Sequence, residues 1–224
     1  MLNAQWRPIL ICETVFTSLF ELRTNEMKQE KLNTKIRQKQ ITNICLEIIS
    51  ERGLAALNVS EVASKLGLVT SALYRHYKDK EEIVSAILQM IRKRVKADFV
   101  KAETDGRDAF EKLEMLLNIE SDRLHERRAF QMIIFSDSIL QEKYNKLTEI
   151  RSIVSEFRAA TLSIFEQGQK AGDIRNDISS DTLEKMFVNL FLTNAAMHII
   201  DEDEFDIHDY HNKAWSVFKE MIST

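Results

Sequence analysis

Four polar side chains in the first third of the chain share a spacing and a chemistry. They are Ser71, Tyr74, Arg75 and Lys78. The spacing i, i+3, i+4, i+7 places them on one face of a helix, where they present a hydroxyl, a phenol, a guanidinium and an ammonium. Such groups donate hydrogen bonds to phosphate oxygens and to base edges in a major groove. The pattern predicts a face that binds double-stranded DNA; a solvated polar face is the alternative.

The segments before this face have the signals of short helices. The stretch "RQKQITNICLEIISERG" has apolar residues at helical spacing and ends at Gly53, which suits a C-terminal cap. Asn58, with Glu61 three residues later, is a capping box that opens a second helix. Gly67 breaks that helix. Two short helices joined by a glycine turn form a helix-turn-helix unit, which we place at about residues 58–77.

The third and fourth helices have their own start signals. Thr70 is the expected N-cap of the third helix, and Asp79 with Glu82 forms a second capping box. The helix N-termini at Asn58 and Thr70 offer free backbone N–H groups, which suit phosphates. The expected contacts are therefore to DNA backbone as well as to bases.

Composition and charge support a division of the chain. With one proline and five glycines in 224 residues, and apolar residues at helical spacing, the sequence predicts an all-α protein. Residues 28–95 hold 13 Lys and Arg against 7 Asp and Glu, a net charge of +6. Residues 96–224 hold 16 against 25, a net charge of −9. A basic part that meets a polyanion and an acidic part with another role are expected.

Several classes of protein are not indicated. Two cysteines do not suggest a disulfide framework, which favours a reducing cytoplasm, and no apolar run reaches the roughly 18 residues of a membrane span. A metal centre in a helical bundle would need paired Glu-x-x-His motifs, and the sequence has none. His208 and His211 could pair on a metal, but exposed histidines near a terminus usually have no such role. We expect no enzyme, no cofactor and no metal.

The stretch "ITNICLEIISERGLAALNVSEVASKLGLVTSALYRHYKDKEEIV" resembles the DNA-binding domain of the TetR family of bacterial transcriptional regulators. The resemblance covers about residues 34–94. It implies an N-terminal three-helix helix-turn-helix DNA-binding domain, at 28–80, and a larger helical ligand-binding and dimerisation domain, at 81–224.

The resemblance also implies roles for individual residues. Residues 70–72 would open the recognition helix, where base contacts are usually made. Asn58 and Lys80 would lie at phosphates, and Tyr74 and His76 would hold the DNA backbone. The predicted DNA-binding residues are Lys35, Arg37, Asn58, Thr70, Ser71, Ala72, Tyr74, Arg75, His76, Lys78 and Lys80.

Two positions leave the kind of contact open. Arg75 stands where side chains vary in the family, so it could contact a base or a phosphate. Where the family often has Thr-Arg at the start of helix one, this chain has Arg37-Gln38, which keeps the basic character.

The C-terminal two-thirds resembles the regulatory domain of the same family less specifically. The resemblance implies a four-helix homodimer interface, for which we predict Phe187, Phe191, Trp215 and Phe218. Packing of these faces inside one monomer is the alternative. A small-molecule effector would bind among the middle helices, and the candidate pocket residues are Phe130, Met132, Phe135, Phe157, Phe165 and Asn194. The acidic net charge of this part favours a cationic or neutral ligand.

Residues 1–27 have two interpretations. Apolar residues at helical spacing after Pro8 could form an amphipathic helix that docks on the body or on a partner. Alternatively, Met27 is the natural start, because a basic arm follows it at once. The second is preferred.

The expected function is a ligand-responsive, dimeric transcriptional regulator. We expect a repressor that reads a palindromic operator with the helix at residues 71–77. The alternative keeps the fold and changes the function. It is a structural or interaction protein, such as a DNA-bound factor of the nucleoid occlusion type that does not control transcription.

Overall fold

The structure is a computed structural model that describes residues 33–141, 146–200 and 206–224; the side chains at 124–125 and 192–200 lie outside the description. The extension predicted at residues 1–27 therefore falls outside the described residues. The helices are α1 (33–52), α2 (Val59–Lys65), α3 (Thr70–Leu73), α4 (Lys80–Asp105), α5 (Ala109–Asp122), α6 (Leu124–Ile134), α7 (Asp137–Leu140), α8 (Leu147–Ala171), α9 (Ser180–Ile200) and α10 (Ile207–Ile222). The all-α prediction is confirmed.

The first three helices and the first half of α4 form a small domain, which we call the head. Its core is aliphatic, with Ile41, Ile48, Leu73 and Ile87 all fully buried. Gly67 has φ +66°, a left-handed conformation that L side chains rarely adopt, and it turns the chain between α2 and α3. The glycine turn thus packs the two short helices on the same aliphatic core.

Two long-range hydrogen bonds fix the end of the helix-turn-helix unit onto α1. The hydroxyls of Tyr77 and Thr42 are 3.1 Å apart in the interior. The Gln38 side chain donates to the backbone carbonyl of His76 at 3.3 Å. Burial is the main cause that raises the pKa of Tyr77, so this hydroxyl stays a neutral hydrogen-bonding group. These contacts orient the segment that carries the predicted DNA-binding residues.

The helix starts confirm part of the capping prediction and correct the rest. The Asn58 side chain accepts from the backbone N–H of Ser60, and Asp79 accepts from that of Glu82. Glu61 does not complete a capping box, because its carboxylate pairs with Arg52. Thr70 is the first residue of α3 rather than its cap; Val69, which has no capping side chain, holds the cap position.

The remaining helices form a larger unit, which we call the body. Its core is aromatic: Phe165, Phe187, Phe191, Trp215 and Phe218 lie with neighbouring ring centroids 5.0–6.3 Å apart. Most of these pairs meet edge to face, which suits the ring quadrupoles. The core joins α5, α8, α9 and α10 into one bundle.

The head and the body are not separate layers. The aliphatic core of the head continues into Ala129 and Ile133 of α6, Ile139 of α7, and Ile150 and Ile153 of α8. The boundary predicted after residue 80 falls at the first residue of α4, whose first half packs in the head and whose Ala102 packs in the body. Helix α4 therefore ties the two together. In the part of the chain described here, no helix is long and apolar enough to cross a membrane.

Candidate functional site

Most of the predicted DNA-binding residues have side chains that reach solvent. Ser71, Arg75 and Lys78 are exposed, and half of the Tyr74 side chain is accessible to solvent. Lys35 and Asn58 are exposed as well. Polar donors at these positions can reach phosphate oxygens and base edges without unfolding of the head.

His76 lies between this face and the interior. It is half-buried, its Nδ1 has no hydrogen-bond partner, and it lines a shallow depression with Arg37. Burial lowers the pKa of His76, and the charges of Arg37 and Arg75 lower it further. A neutral imidazole is thus held next to two guanidinium groups on the candidate DNA-binding face.

Two predictions about the recognition helix need correction. Regular α-helix covers Thr70–Leu73 only, and residues 74–76 continue as a turn, in which the N–H of Tyr77 still bonds to the carbonyl of Leu73. Ala72 is 7% exposed and packs inward beside Leu73, so its side chain is not free to contact a base. The reason is geometric: a helix resting on a core buries one position in each turn.

A cavity of about 150 Å³ lies between α4, α5, α6, α8 and α9. Its apolar wall includes Phe130, Ile134, Phe157 and Val188. Its polar wall carries four arginines and three acids: Arg94, Arg123, Arg127, Arg158, Asp98, Glu120 and Glu126. The lining therefore has a net charge of +1, in contrast to the acidic part of the chain that surrounds it.

The predicted pocket residues divide among different places. Phe130 and Phe157 line the cavity. Met132 packs in the head core, Phe165 is fully buried in the aromatic core, and Phe135 is 63% exposed. These three are corrections, because aromatic or apolar character alone does not tell a cavity wall from a core or a surface. The side chain of Asn194 lies outside the described residues.

The polar residues of the cavity were missed from the sequence. Arg127 is 8% exposed, and its guanidinium carbon lies 4.6 Å from the centroid of the Phe191 ring. Gln131, one turn later on α6, donates through Nε2 to the backbone carbonyl of Phe191 at 2.9 Å. A signal existed in the arginine-rich run at 123–128, which is unusual for a helix that is largely buried.

The four residues predicted for the dimer interface lie inside the subunit. Phe187 is fully buried, and Phe191, Trp215 and Phe218 are each 5% exposed. Their large rings fill the core between α5, α8, α9 and α10. These residues therefore pack inside one monomer, which was the alternative to a dimer interface. The apolar face that stays accessible lies beside them, in a groove lined by Met186, Leu190, Tyr210, Ala214, Val217 and Met221.

The two histidines considered as a metal pair face different ways. His208 is exposed near Asp122, whereas His211 is buried against Ser121. Within the described ranges, no three His, Cys, Asp or Glu side chains meet in a group that could hold a metal ion.

An exposed polar face on a helix-turn-helix head, joined to an all-helical body, is the arrangement expected of a DNA-binding transcriptional regulator. Residues 44–87 match the model of the bacterial regulatory proteins of the tetR family. The chain is 26% identical over 146 residues to the HTH-type transcriptional repressor KstR2 of Rhodococcus jostii, a match that covers 63% of this chain and 70% of that protein.

Solved structures share the fold. The ketosteroid transcriptional regulator KstR2 of Mycobacterium tuberculosis superposes with a TM-score of 0.69 at 17% identity, over 84% of this chain and 95% of that one. FadR from Bacillus subtilis, solved in complex with stearoyl-CoA, superposes with a TM-score of 0.64 at 16% identity, over 82% and 98%.

Proposed function

We propose that this chain is a homodimeric transcriptional repressor that reads a palindromic operator and releases it when a small-molecule effector binds. The second element of the helix-turn-helix unit, Thr70–Leu73, and the turn after it would enter the major groove. Tyr74, His76 and Lys80 would hold the DNA backbone, and Ser71 and Arg75 would contact bases. The similarity of the chain to transcriptional repressors supports repression rather than activation.

The observation that carries the proposal is the position of the cavity between the two cores. Ile91 of α4 and Ile153 of α8 belong to the aliphatic core of the head, and both line the cavity. Phe157 and Phe191 line it from the side of the aromatic core. A ligand in the cavity therefore packs against both cores at once. A ligand that fits only one arrangement of the head on the body would shift the population away from the form that fits DNA.

Dimerisation would use the apolar groove between α9 and α10. Val217 is 69% exposed and Met186 is 38% exposed, and both lie beside aromatic residues that the subunit already buries. Two copies of this groove, paired about a two-fold axis, would cover the apolar side chains and place two heads on related half-sites. We therefore propose that the dimer interface is this exposed groove, which lies beside the four buried residues first predicted for the interface.

DNA binding would be tested with duplexes from the region upstream of the gene, by fluorescence anisotropy at several salt concentrations. Lys80→Ala and Tyr74→Ala should weaken binding to all operator variants, and Lys80→Ala should reduce the slope of log K against log salt by about 1. Ser71→Ala and Arg75→Ala should instead change which operator variants bind. Lys101→Ala, an exposed lysine at the far end of α4, is the control and should leave binding unchanged. Equal losses for all four head variants on every duplex would contradict the division into backbone and base contacts.

Mapping of the bound sites across the genome separates the two functions. A few palindromic sites at promoters, with raised transcription of the adjacent genes after deletion, are expected for a repressor. Many dispersed sites away from promoters, with transcription unchanged, would instead favour the structural DNA-bound factor.

A further inference from the structure

The chemical class of the effector can be inferred from the cavity, given the proposed function on which the inference rests. Arg127 is the most buried of the arginines that line the cavity. One face of its guanidinium lies over the Phe191 ring. Both terminal nitrogens, Nη1 and Nη2, are buried and have no hydrogen-bond partner. The nearest acid, Glu120, has its oxygen 3.6 Å from Nη1, which is beyond hydrogen-bond distance.

This position leaves the charge of Arg127 incompletely compensated. Burial lowers the pKa of Arg127 to about 10, although Glu120 acts in the opposite direction. Buried donors on a charged group are costly when they find no acceptor, because water is lost and nothing replaces it. Acceptor oxygens that enter the cavity beside Nη1 and Nη2 would therefore gain strong, charge-assisted hydrogen bonds.

The other arginines of the cavity form closer ion pairs than Arg127 does with Glu120, although Nη1 of Arg94, like the Nη atoms of Arg127, makes no hydrogen bond. Arg123 pairs with Asp98, and Arg94 pairs with Glu126. Arg158 forms three hydrogen bonds with Glu184, a buried acid that does not line the cavity. A cationic ligand would have to displace one of these arginines from its carboxylate, or approach Glu120, whose oxygen lies 3.6 Å from the like charge of Arg127. An anion needs to displace nothing at Arg127. The acidic net charge of the C-terminal part, which favoured a cationic or neutral ligand, is thus misleading for the cavity itself.

The size and the walls of the cavity restrict the rest of the ligand. A cavity of about 150 Å³ has the volume that holds one benzene-sized molecule. The apolar part of the lining includes Phe130, Phe157 and Val188. In addition, the Oε1 atom of Gln131 is buried without a partner and can accept a hydrogen bond from a ligand hydroxyl.

We propose that the cavity binds a small carboxylate whose ring-sized apolar part packs on the aromatic wall and whose carboxylate accepts hydrogen bonds from Arg127. The guanidinium is a planar fork that matches the two oxygens of a carboxylate. Its face is held on Phe191, so its edge is the part that meets the ligand.

The test uses the full chain and three probes that share a ring and differ in charge: benzoate, benzyl alcohol and benzylamine. Binding is measured by calorimetry and by the shift of the thermal midpoint. Benzoate should bind at least about tenfold more tightly than either of the others, the factor given by one charge-assisted hydrogen bond. Tighter binding of benzylamine, or no binding of any of the three, would overturn the proposal.

The variants separate Arg127 from the cavity in general. Arg127→Met with Glu120→Gln removes both charges of the pair, so that neither is left buried alone. It should lower benzoate affinity about tenfold or more and keep that for benzyl alcohol. The matched control, Arg92→Gln with Glu156→Gln, removes an ion pair between α4 and α8 that does not line the cavity, and should change benzoate affinity less than about twofold. Should the first double variant not fold, Arg127→Lys keeps the charge but loses the fork, and the same loss of benzoate affinity is expected. Benzoate affinity unchanged by either Arg127 change would contradict the assignment.

Measurement of DNA release on the same samples tests the carboxylate site and its role as an effector site separately. Benzoate that binds through Arg127 and leaves DNA affinity unchanged would support the carboxylate site and count against its role as an effector site. A chain that binds its operator and none of the probes would overturn the carboxylate site alone.

Discussion

The head and the body bury different kinds of side chain. The head core is built from Ile, Leu and Val, with Tyr77 as its one large ring among the described residues, and its buried polar residues are Thr42 and Ser50. The body core is built on Phe and Trp rings, and the body also buries Asp98, Arg127, Glu184 and His211. An aliphatic core with few polar groups supports the surface that we propose reads DNA. Buried charge in the body is costly for stability, and we relate it to ligand binding.

The two regions also use their surfaces differently. In the head, the exposed polar groups stand on short elements that many apolar contacts and two long-range hydrogen bonds hold in place. In the body, the polar groups of interest point inward to a cavity, and the outward face of α9 and α10 is apolar. Sequence patterns of exposed polar residues therefore predict the candidate DNA-binding face, whereas the candidate ligand site is recognised only from what is buried.

The strongest test of the aromatic core is a pair of charge substitutions two residues apart on α10. Trp215→Glu places a carboxylate in the core and should prevent folding of the subunit, since an unpaired buried charge costs more than the net stability of most domains can offset. Val217→Glu lies on the exposed apolar groove and should give folded monomers. Circular dichroism and sedimentation equilibrium measure both. A folded Trp215→Glu monomer would show that Trp215 is not part of the subunit core. A Val217→Glu dimer would show that the groove between α9 and α10 is not the dimer face.

Removal of one central ring should show how much the aromatic core contributes. Phe187→Ala leaves a cavity among four other rings and should cost about 3–5 kcal/mol of unfolding free energy, with a fall in Tm of roughly 10 °C. Met186→Ala, next to it on the partly exposed side of α9, is the control and should cost less than about 1 kcal/mol in the monomer. Urea denaturation gives both values. Similar losses for the two would mean that Phe187 is not central to the core.

A buried histidine makes the stability of the body depend on pH. Burial, followed by the charge of Arg127, lowers the pKa of His211 to about 4. Between that value and the ordinary 6.5, the unfolded chain binds more protons than the folded chain, so stability is lost as pH falls through this window. The loss from His211 at pH 5 is about 2 kcal/mol relative to pH 7 or above.

The measurement compares urea denaturation at pH 7 and pH 5. The wild type should lose about 2 kcal/mol more than His211→Gln over this interval, because glutamine does not titrate. His208→Gln, at an exposed histidine one turn earlier, should behave as the wild type. If His211→Gln and the wild type lose the same stability, the folded chain accepts a proton at His211 as readily as the unfolded chain does.

The smallest effect is expected in the head, at the start of α2. Asn58→Ala removes the side-chain oxygen that accepts from Ser60 N–H and should cost about 1 kcal/mol, which lowers Tm by about 2–4 °C. Asn58→Ser keeps a capping oxygen and should be close to the wild type. A loss as large as that of Phe187→Ala would mean that Asn58 has a further role in the fold.

The sequence by itself determined the fold class, the resemblance to a family and the location of the polar face. These follow from local signals: helical spacing of apolar residues, the caps at Asn58 and Asp79, and the glycines at 53 and 67. Local signals are short-range, so they predict where helices begin and which side of each one is polar. They did not predict that regular helix stops at Leu73 or that Ala72 turns inward, since both depend on how the segment rests on α1.

The tertiary structure alone decided what lies opposite each apolar face. Phe187 and Trp215 have the pattern of an interface as much as that of a core, and only the packing of α5 and α8 on them shows that one subunit already covers them. Likewise, the sequence alone predicts that Arg127 is a surface residue, and only the structure shows that the Phe191 ring of α9 lies against it. Burial is a property of two surfaces that meet, and one sequence segment describes only one of the two.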